Sequence, residues 1–134
     1  MKALVVDDSK SVRMVLQMLL EQLGYGVDCA ENGGAGIAAL TGENTFDVCL
    51  VDWNMPDMTG LEMLQQLNKM SLPKIPKYMM VTSESDFAHM QAAIAAGASE
   101  YLIKPFTLES IRIKLELLGF FLEPAGQSVP GGAR

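Results

Sequence analysis

The chain is predicted to fold as an α/β domain with a doubly wound (βα)5 plan, a five-stranded parallel sheet in the order 2-1-3-4-5. Three observations point there. Short apolar runs alternate five times with segments of helical periodicity. Four of those runs end on a polar residue capable of chemistry. The length of 134 residues is one domain's worth, enough to bury a core. Right-handed crossovers between successive strands then fix the order.

Each element has its own signal. Ala3 to Val6 read as a first strand ending at Asp7 and Asp8. Val12, Val15, Leu16, Leu19, Leu20 and Leu23 recur at helical spacing, with Ser9 as N-cap and Gly24 as the stop. Gly26 to Ala30 form a short second strand, Asn32 to Gly34 a turn, and Ala35 to Leu40 open a second helix. Asp47 to Val51 lead into Asp52 as the third strand. A loop with Pro56 and Gly60 precedes a helix carrying Leu61, Leu64 and Leu67, and 69–76 form a loop. Tyr78 to Val81 end at Thr82 and Ser83, a helix runs from about Asp86 to Ala96, and Gly97 ends it. Glu100 to Ile103 end at Lys104 and Pro105. The last segment fits two periods: Ile111, Ile113, Leu115 and Leu117 alternate as in a strand, whereas Leu108, Ile111, Leu115 and Leu118 fit a helix. Helix is the better reading, because Thr107 is a good N-cap and a parallel sheet needs cover on both faces. The domain spans 1–122, and 123–134, rich in proline and glycine, are expected as a frayed tail.

Composition excludes several classes of function. No apolar run approaches the roughly 20 residues of a membrane helix, and the short first run ends in acid, unlike a signal peptide. A cytoplasmic protein without membrane contact is expected. The net charge of −6 disfavours binding nucleic acid through its phosphates. Cys29 and Cys49 lie in strand-like segments and are expected as reduced core thiols. His89 has polar neighbours on its helix and is expected at the surface. Without a second histidine or a cysteine cluster, zinc is not indicated.

In an open parallel sheet, ligands bind outside the carboxyl ends of the strands. Folding therefore gathers Asp7, Asp8, Asp52, Thr82 and Lys104 at one edge. One aspartate after the first strand serves as a helix cap, since acids suit that end of the dipole. The second has no such role, and adjacent carboxylates repel unless a cation lies between them. Hard oxygen donors suit Mg²⁺. Asp52 is then the candidate phosphoryl acceptor, because a carboxylate attacks phosphorus to give an acyl phosphate when cations offset the charge. Lys104 supplies a point charge for phosphate oxygen, and Thr82 a hydroxyl donor. Singly, each of these residues reads as a solvated strand end; together they require several coincidences. Asn54 offers a backbone carbonyl to the metal, or is an ordinary turn residue. Trp53 is expected as a partly exposed ring lining the site, with simple packing nearly as favoured. Tyr101 is either plain core or a side chain that pivots between buried and exposed positions.

Four segments carry a resemblance: Val5-Val6-Asp7-Asp8-Ser9, Val51 through Glu62, Val81-Thr82-Ser83-Glu84, and Tyr101-Leu102-Ile103-Lys104-Pro105-Phe106. Together they resemble the response regulator receiver domain, of flavodoxin-like, CheY-like fold, over residues 1 to about 122. The resemblance implies a phospho-accepting regulator of a two-component system rather than a turnover enzyme. Asp7 and Asp8 would bind Mg²⁺ with the Asn54 carbonyl completing the site, and Asp52 would take phosphoryl from a histidine kinase. Thr82 and Tyr101 would form the switch pair, and Lys104 would hold phosphate beside a cis bond to Pro105. Asn54 and Glu84 would flank the hydrolytic water and set the phosphoryl lifetime. Trp53 after the acceptor looks most like chemotaxis members. The chain ends soon after the last helix without an output domain, which suggests a stand-alone regulator whose face from Asp86 to Gly119 would dock a downstream protein, such as a flagellar motor switch, with a phosphatase as a further partner. A receiver cut from a longer regulator, with the tail as the start of a linker, is the alternative.

Readings from other classes fit less well. An aspartyl phosphatase of the haloacid-dehalogenase type resembles Asp-x-Asp at its nucleophile, whereas Asn54 stands at the second position here. A flavin mononucleotide binder needs a hydroxyl- and glycine-rich phosphate loop after strand one, where Asp7 and Asp8 would repel the phosphate. A docking module that never takes phosphate has no use for the complete acidic and lysine set.

Overall fold

The computed structural model describes residues 1–83 and 87–120. Its elements are β1 (Lys2–Val6), α1 (Lys10–Gln22), β2 (Gly26–Ala30), α2 (Gly33–Leu40), β3 (Val48–Asp52), α3 (Gly60–Leu67), β4 (Lys77–Thr82), α4 (Phe87–Ala95), β5 (Ala98–Ile103) and α5 (Leu108–Leu117). The sheet runs β2-β1-β3-β4-β5, with every neighbouring pair parallel. Fold class and strand order are as the sequence predicts.

Period-two alternation along the strands divides the core between the two faces of the sheet. Ala3, Val5, Val48, Leu50, Met79 and Val81 meet Leu16 and Leu20 of α1 and Ile111 and Leu115 of α5. Leu4, Val6, Cys49, Val51, Tyr78 and Met80 meet Leu40, Met63, Leu64, Leu67 and Ala93 from α2, α3 and α4. The central strand β3 is buried along its whole length, so its end is held rigidly.

Side-chain caps set the helix starts. Ser9 accepts from Val12 N–H, Asn32 from Ala35 N–H, and Thr59 and Thr107 each close a capping box, with Glu62 and Ser110 respectively. The Asn32 cap lets α2 begin at Gly33, two residues before the expected start. The ambiguous last segment is a helix: Ile111 and Leu115 are buried, while Ile113 and Leu117, the residues that mimic strand alternation, face solvent.

Two expectations are corrected. Cys49 is a buried core thiol, but Cys29 is exposed on the edge strand β2, where its thiol donates to Gln17 Oε1 at 3.7 Å. β2 lacks a neighbour on its outer side, so apolar character along it does not secure burial. His89 is not a plain surface residue: half-buried on α4, its ring lies 4.6 Å from the Trp53 ring.

Candidate functional site

Among the described residues, three polar side chains are buried, all at the sheet's carboxyl edge: Asp7, Asp52 and Thr82. Asp52 and Thr82 are the last residues of β3 and β4; Asp7 and Lys104 follow β1 and β5 directly. Carboxylate oxygens of Asp7, Asp8 and Asp52 all lie within 4.8 Å of one another. Lys104 Nζ donates to Asp52 Oδ1 at 3.1 Å and sits 3.8 Å from Asp7 Oδ2. Backbone bonds lock these ends together: Trp53 N–H donates to Val81 O, and Lys104 N–H to Thr82 O, both at 2.8 Å. The Lys104–Pro105 peptide is cis, as the resemblance implies.

The electrostatics are unbalanced in a way that calls for a cation. Burial raises the Asp52 carboxyl above its ordinary range, and the Asp7 charge adds to this, while Lys104 opposes it. Burial likewise raises Asp7, with Asp8 adding and the Ser9 N–H, Lys104 and Arg13 opposing. Asp7 Oδ2 is buried without a hydrogen-bond partner. An orphaned carboxylate oxygen facing two other carboxylates is the donor set a hard divalent ion satisfies. The residues therefore fit Mg²⁺, which Asp7, Asp8 and Asp52 could hold.

The loop after β3 shapes the mouth of the site. Gly60 N–H donates to Trp53 O at 2.9 Å, and a Cβ on Gly60 would lie 2.5 Å from the Asp52 carbonyl oxygen. Only glycine allows that approach. Between them Asp57 adopts φ 69°, bridged by Met58 N–H to Pro56 O at 2.7 Å. Asn54 is exposed at this mouth. Glu84 lies outside the described residues.

Trp53 is buried, at 9% exposure, rather than partly exposed at the site. It continues the alternation of Cys49 and Val51 past the strand end, and Met55 follows it into the same core layer. That run of alternate residues was the available signal. The Trp53 ring instead lines a cavity of about 10 Å³ with Met80, Thr82, His89, Met90, Ala93 and Tyr101, room for about one water. Tyr101 is half-buried there, with Lys114 Nζ 4.4 Å from its ring centre on the outer side. Thr82 and Tyr101 thus face a shared space. The sequence reading also missed Arg13, whose Nη1 donates to Asp7 O at 2.7 Å.

A family model described as the response regulator receiver domain matches residues 3–116. The chain is 37% identical over 119 residues to the chemotaxis protein CheY1 of Helicobacter pylori, covering 88% of this chain and 96% of that protein. Among solved structures, the chemotaxis response regulator CheY4 of Vibrio cholerae superposes with a TM-score of 0.80 at 35% identity, covering 87% of this chain and 97% of that one. The response regulator protein TrrA of Thermotoga maritima, solved in complex with Mg²⁺–BeF, gives 0.73 at 30% identity, covering 87% and 97%. With a buried acidic pocket, a lysine and a hydroxyl at one sheet edge, the chain belongs to the response regulator receiver domain family. Within that family it is CheY-like.

Proposed function

We propose that this protein takes a phosphoryl group onto Asp52 from a phosphohistidine of a histidine kinase and passes the signal on by protein contact, in chemotaxis. The observation that supports it best is the Lys104–Asp52–Asp7 cluster, which gathers buried carboxylates and a cation where a phosphoryl group must arrive. In the transfer an Asp52 carboxylate oxygen forms a bond to phosphorus, the phosphorus–nitrogen bond breaks, and the imidazole leaves. Lys104 takes up a phosphoryl oxygen, and the Thr82 hydroxyl donates to another. Asp7, Asp8, Asp52 and the Asn54 carbonyl would hold Mg²⁺, which would supply charge neutralisation. The protein promotes its own phosphorylation and dephosphorylation and is not a conventional turnover enzyme. Asn54, exposed at the mouth of the site, would flank the hydrolytic water; the other residue expected to do so, Glu84, lies outside the described residues.

The signal leaves through α4, β5 and α5. Drawing the Thr82 hydroxyl toward phosphate opens the cavity to the Tyr101 ring, a small two-state change. That face exposes Ile94, Ile103, Leu108, Ile113 and Leu117; its expected first residue, Asp86, is outside the described residues. A downstream protein such as a flagellar motor switch fits it, with a phosphatase as a further partner. Cytoplasmic location follows from this role; among the described residues no helix is long and apolar enough to cross a membrane. The test is phosphotransfer from an autophosphorylated kinase followed by borohydride reduction, which turns an aspartyl phosphate into homoserine. Homoserine at position 52 supports the reading, and its absence after transfer refutes it.

A further inference from the structure

We propose that Arg13 is a positioning residue for the metal site: it clamps the peptide plane between Asp7 and Asp8 and so fixes the angle between the two carboxylates. The inference rests on reading Asp7, Asp8 and Asp52 as Mg²⁺ ligands. Every polar atom of Asp7 but one is tied down. Its N–H donates to Ala30 O at 3.1 Å, its Oδ1 accepts from Ser9 N–H at 2.8 Å, and its carbonyl accepts from Arg13 Nη1 at 2.7 Å. The remaining atom is Oδ2, the orphan facing the cluster.

The carbonyl bond matters most for Asp8. Asp8 is exposed, so packing does little to aim its side chain. Its direction is set by the backbone, and the Asp7 carbonyl oxygen belongs to the planar peptide unit that joins the two residues. Gripping that oxygen fixes the plane and hence the bearing of Asp8 relative to Asp7. Arg13 is itself anchored in α1, where its N–H donates to Ser9 O at 3.0 Å. The clamp therefore ties the metal-binding turn to a helix whose Leu16 and Leu20 are buried in the core.

Position and charge predict opposite effects, which makes the role testable. As a nearby positive charge alone, Arg13 repels a cation, and its removal tightens metal binding. As a clamp, its removal loosens binding. Mg²⁺ demands near-ideal octahedral geometry, whereas Ca²⁺ accepts irregular sites. Losing alignment must therefore hurt Mg²⁺ more than Ca²⁺.

The experiment is calorimetric titration of the full chain with Mg²⁺ and with Ca²⁺, for wild type, Arg13→Met and Arg13→Lys, each checked for cooperative thermal unfolding. Loss of an outer-shell partner typically costs about 10–100-fold in metal affinity, and a fall of at least about 10-fold in that range is expected for Mg²⁺ in Arg13→Met. The fall for Ca²⁺ should be smaller, and Arg13→Lys, which keeps a donor, should recover most of the Mg²⁺ loss. Unchanged or tighter Mg²⁺ binding in Arg13→Met overturns the clamp. So does an equal loss for both ions, which means the turn has come apart. A wild type that binds no Mg²⁺ overturns the ligand reading and the clamp with it, whereas wild-type binding with an unaffected Arg13→Met overturns the clamp alone.

Discussion

Lys104 Nζ lies 3.1 Å from Asp52 Oδ1, joining the residue that follows β5 to the last residue of β3 across the breadth of β4. If Asp52 takes a phosphoryl group, the ammonium already stands where charge would develop, so little reorganisation is needed at transfer. Lys104→Met should slow phosphorylation of Asp52 by about 100-fold, the scale seen when one preorganised donor is removed. Initial rates with acetyl phosphate and Mg²⁺ check this; an unchanged rate would remove Lys104 from the chemistry.

The acidic pocket should make the metal-free protein less stable as pH rises. Asp7 and Asp52 both have carboxyls raised by burial. In the window from the ordinary carboxylate value of 3.8 up to the raised values, the folded state holds more protons than the unfolded one, so stability falls with increasing pH. Asp7→Asn should therefore stabilise the protein in EDTA at neutral pH, by about 1–3 kcal/mol, as expected for relieving a buried unsatisfied group. The gain should disappear below the window. Saturating Mg²⁺ should reverse the order, because it stabilises wild type by mass action and the variant lacks a ligand. Denaturant titrations across pH, with and without metal, measure all three effects.

Trp53 is the single tryptophan, its backbone N–H is held by Val81 O, and its ring touches His89. Its fluorescence should respond to Mg²⁺ bound by the neighbouring Asp52, and Asp8→Ala should abolish or greatly weaken the response. His89→Ala should change the emission of the metal-free protein by removing the tilted ring contact, while leaving Mg²⁺ affinity within about twofold, since exposed or half-buried changes away from the ligands cost little. A flat Mg²⁺ titration, with binding confirmed by calorimetry, would disconnect Trp53 from the site.

Tyr101 should report the switch. With beryllofluoride as phosphoryl mimic, chemical-shift changes should extend from Asp52 through Thr82 to Tyr101 and Lys114, whose ammonium now sits over the ring. The cavity shared by Thr82 and Tyr101 has room for about one water, so inward rotation must also displace its α4 wall, His89, Met90 and Ala93. Shifts confined to the surroundings of Asp52 would refute propagation.

Lifetime should be set at the mouth of the site. Asn54 is exposed there, and a polar side chain in that place leaves a water free to approach in line. Asn54→Met or Glu84→Lys should lengthen the phosphorylated lifetime several-fold without abolishing phosphorylation. Decay of the phosphorylated protein after removal of the donor measures it; unchanged decay would contradict the water-access reading.

The fold and most of the site were legible because both depend on strand ends. Asp7, Asp8, Asp52, Thr82 and Lys104 follow apolar runs, and a doubly wound sheet brings such positions to one edge whatever the details of packing. Cys29 was misread because apolar neighbours were taken to secure burial, although the predicted order already puts its strand at the sheet edge, where one side has no neighbouring strand. Trp53 and His89 were misread for another reason: the pair forms only when α4 packs over the end of β3, a tertiary contact between residues 36 positions apart. Arg13 was overlooked because it serves a backbone carbonyl, and no residue pattern marks a backbone acceptor.

The most direct test of the central claim is intact-mass measurement after incubation with acetyl phosphate and Mg²⁺, on wild type and on Asp52→Asn. Wild type should gain the mass of one phosphoryl group, only when Mg²⁺ is present, and Asp52→Asn should gain none. A phosphoryl adduct that persists in Asp52→Asn and maps to another residue, or a wild type that never gains one, would contradict Asp52 as the acceptor.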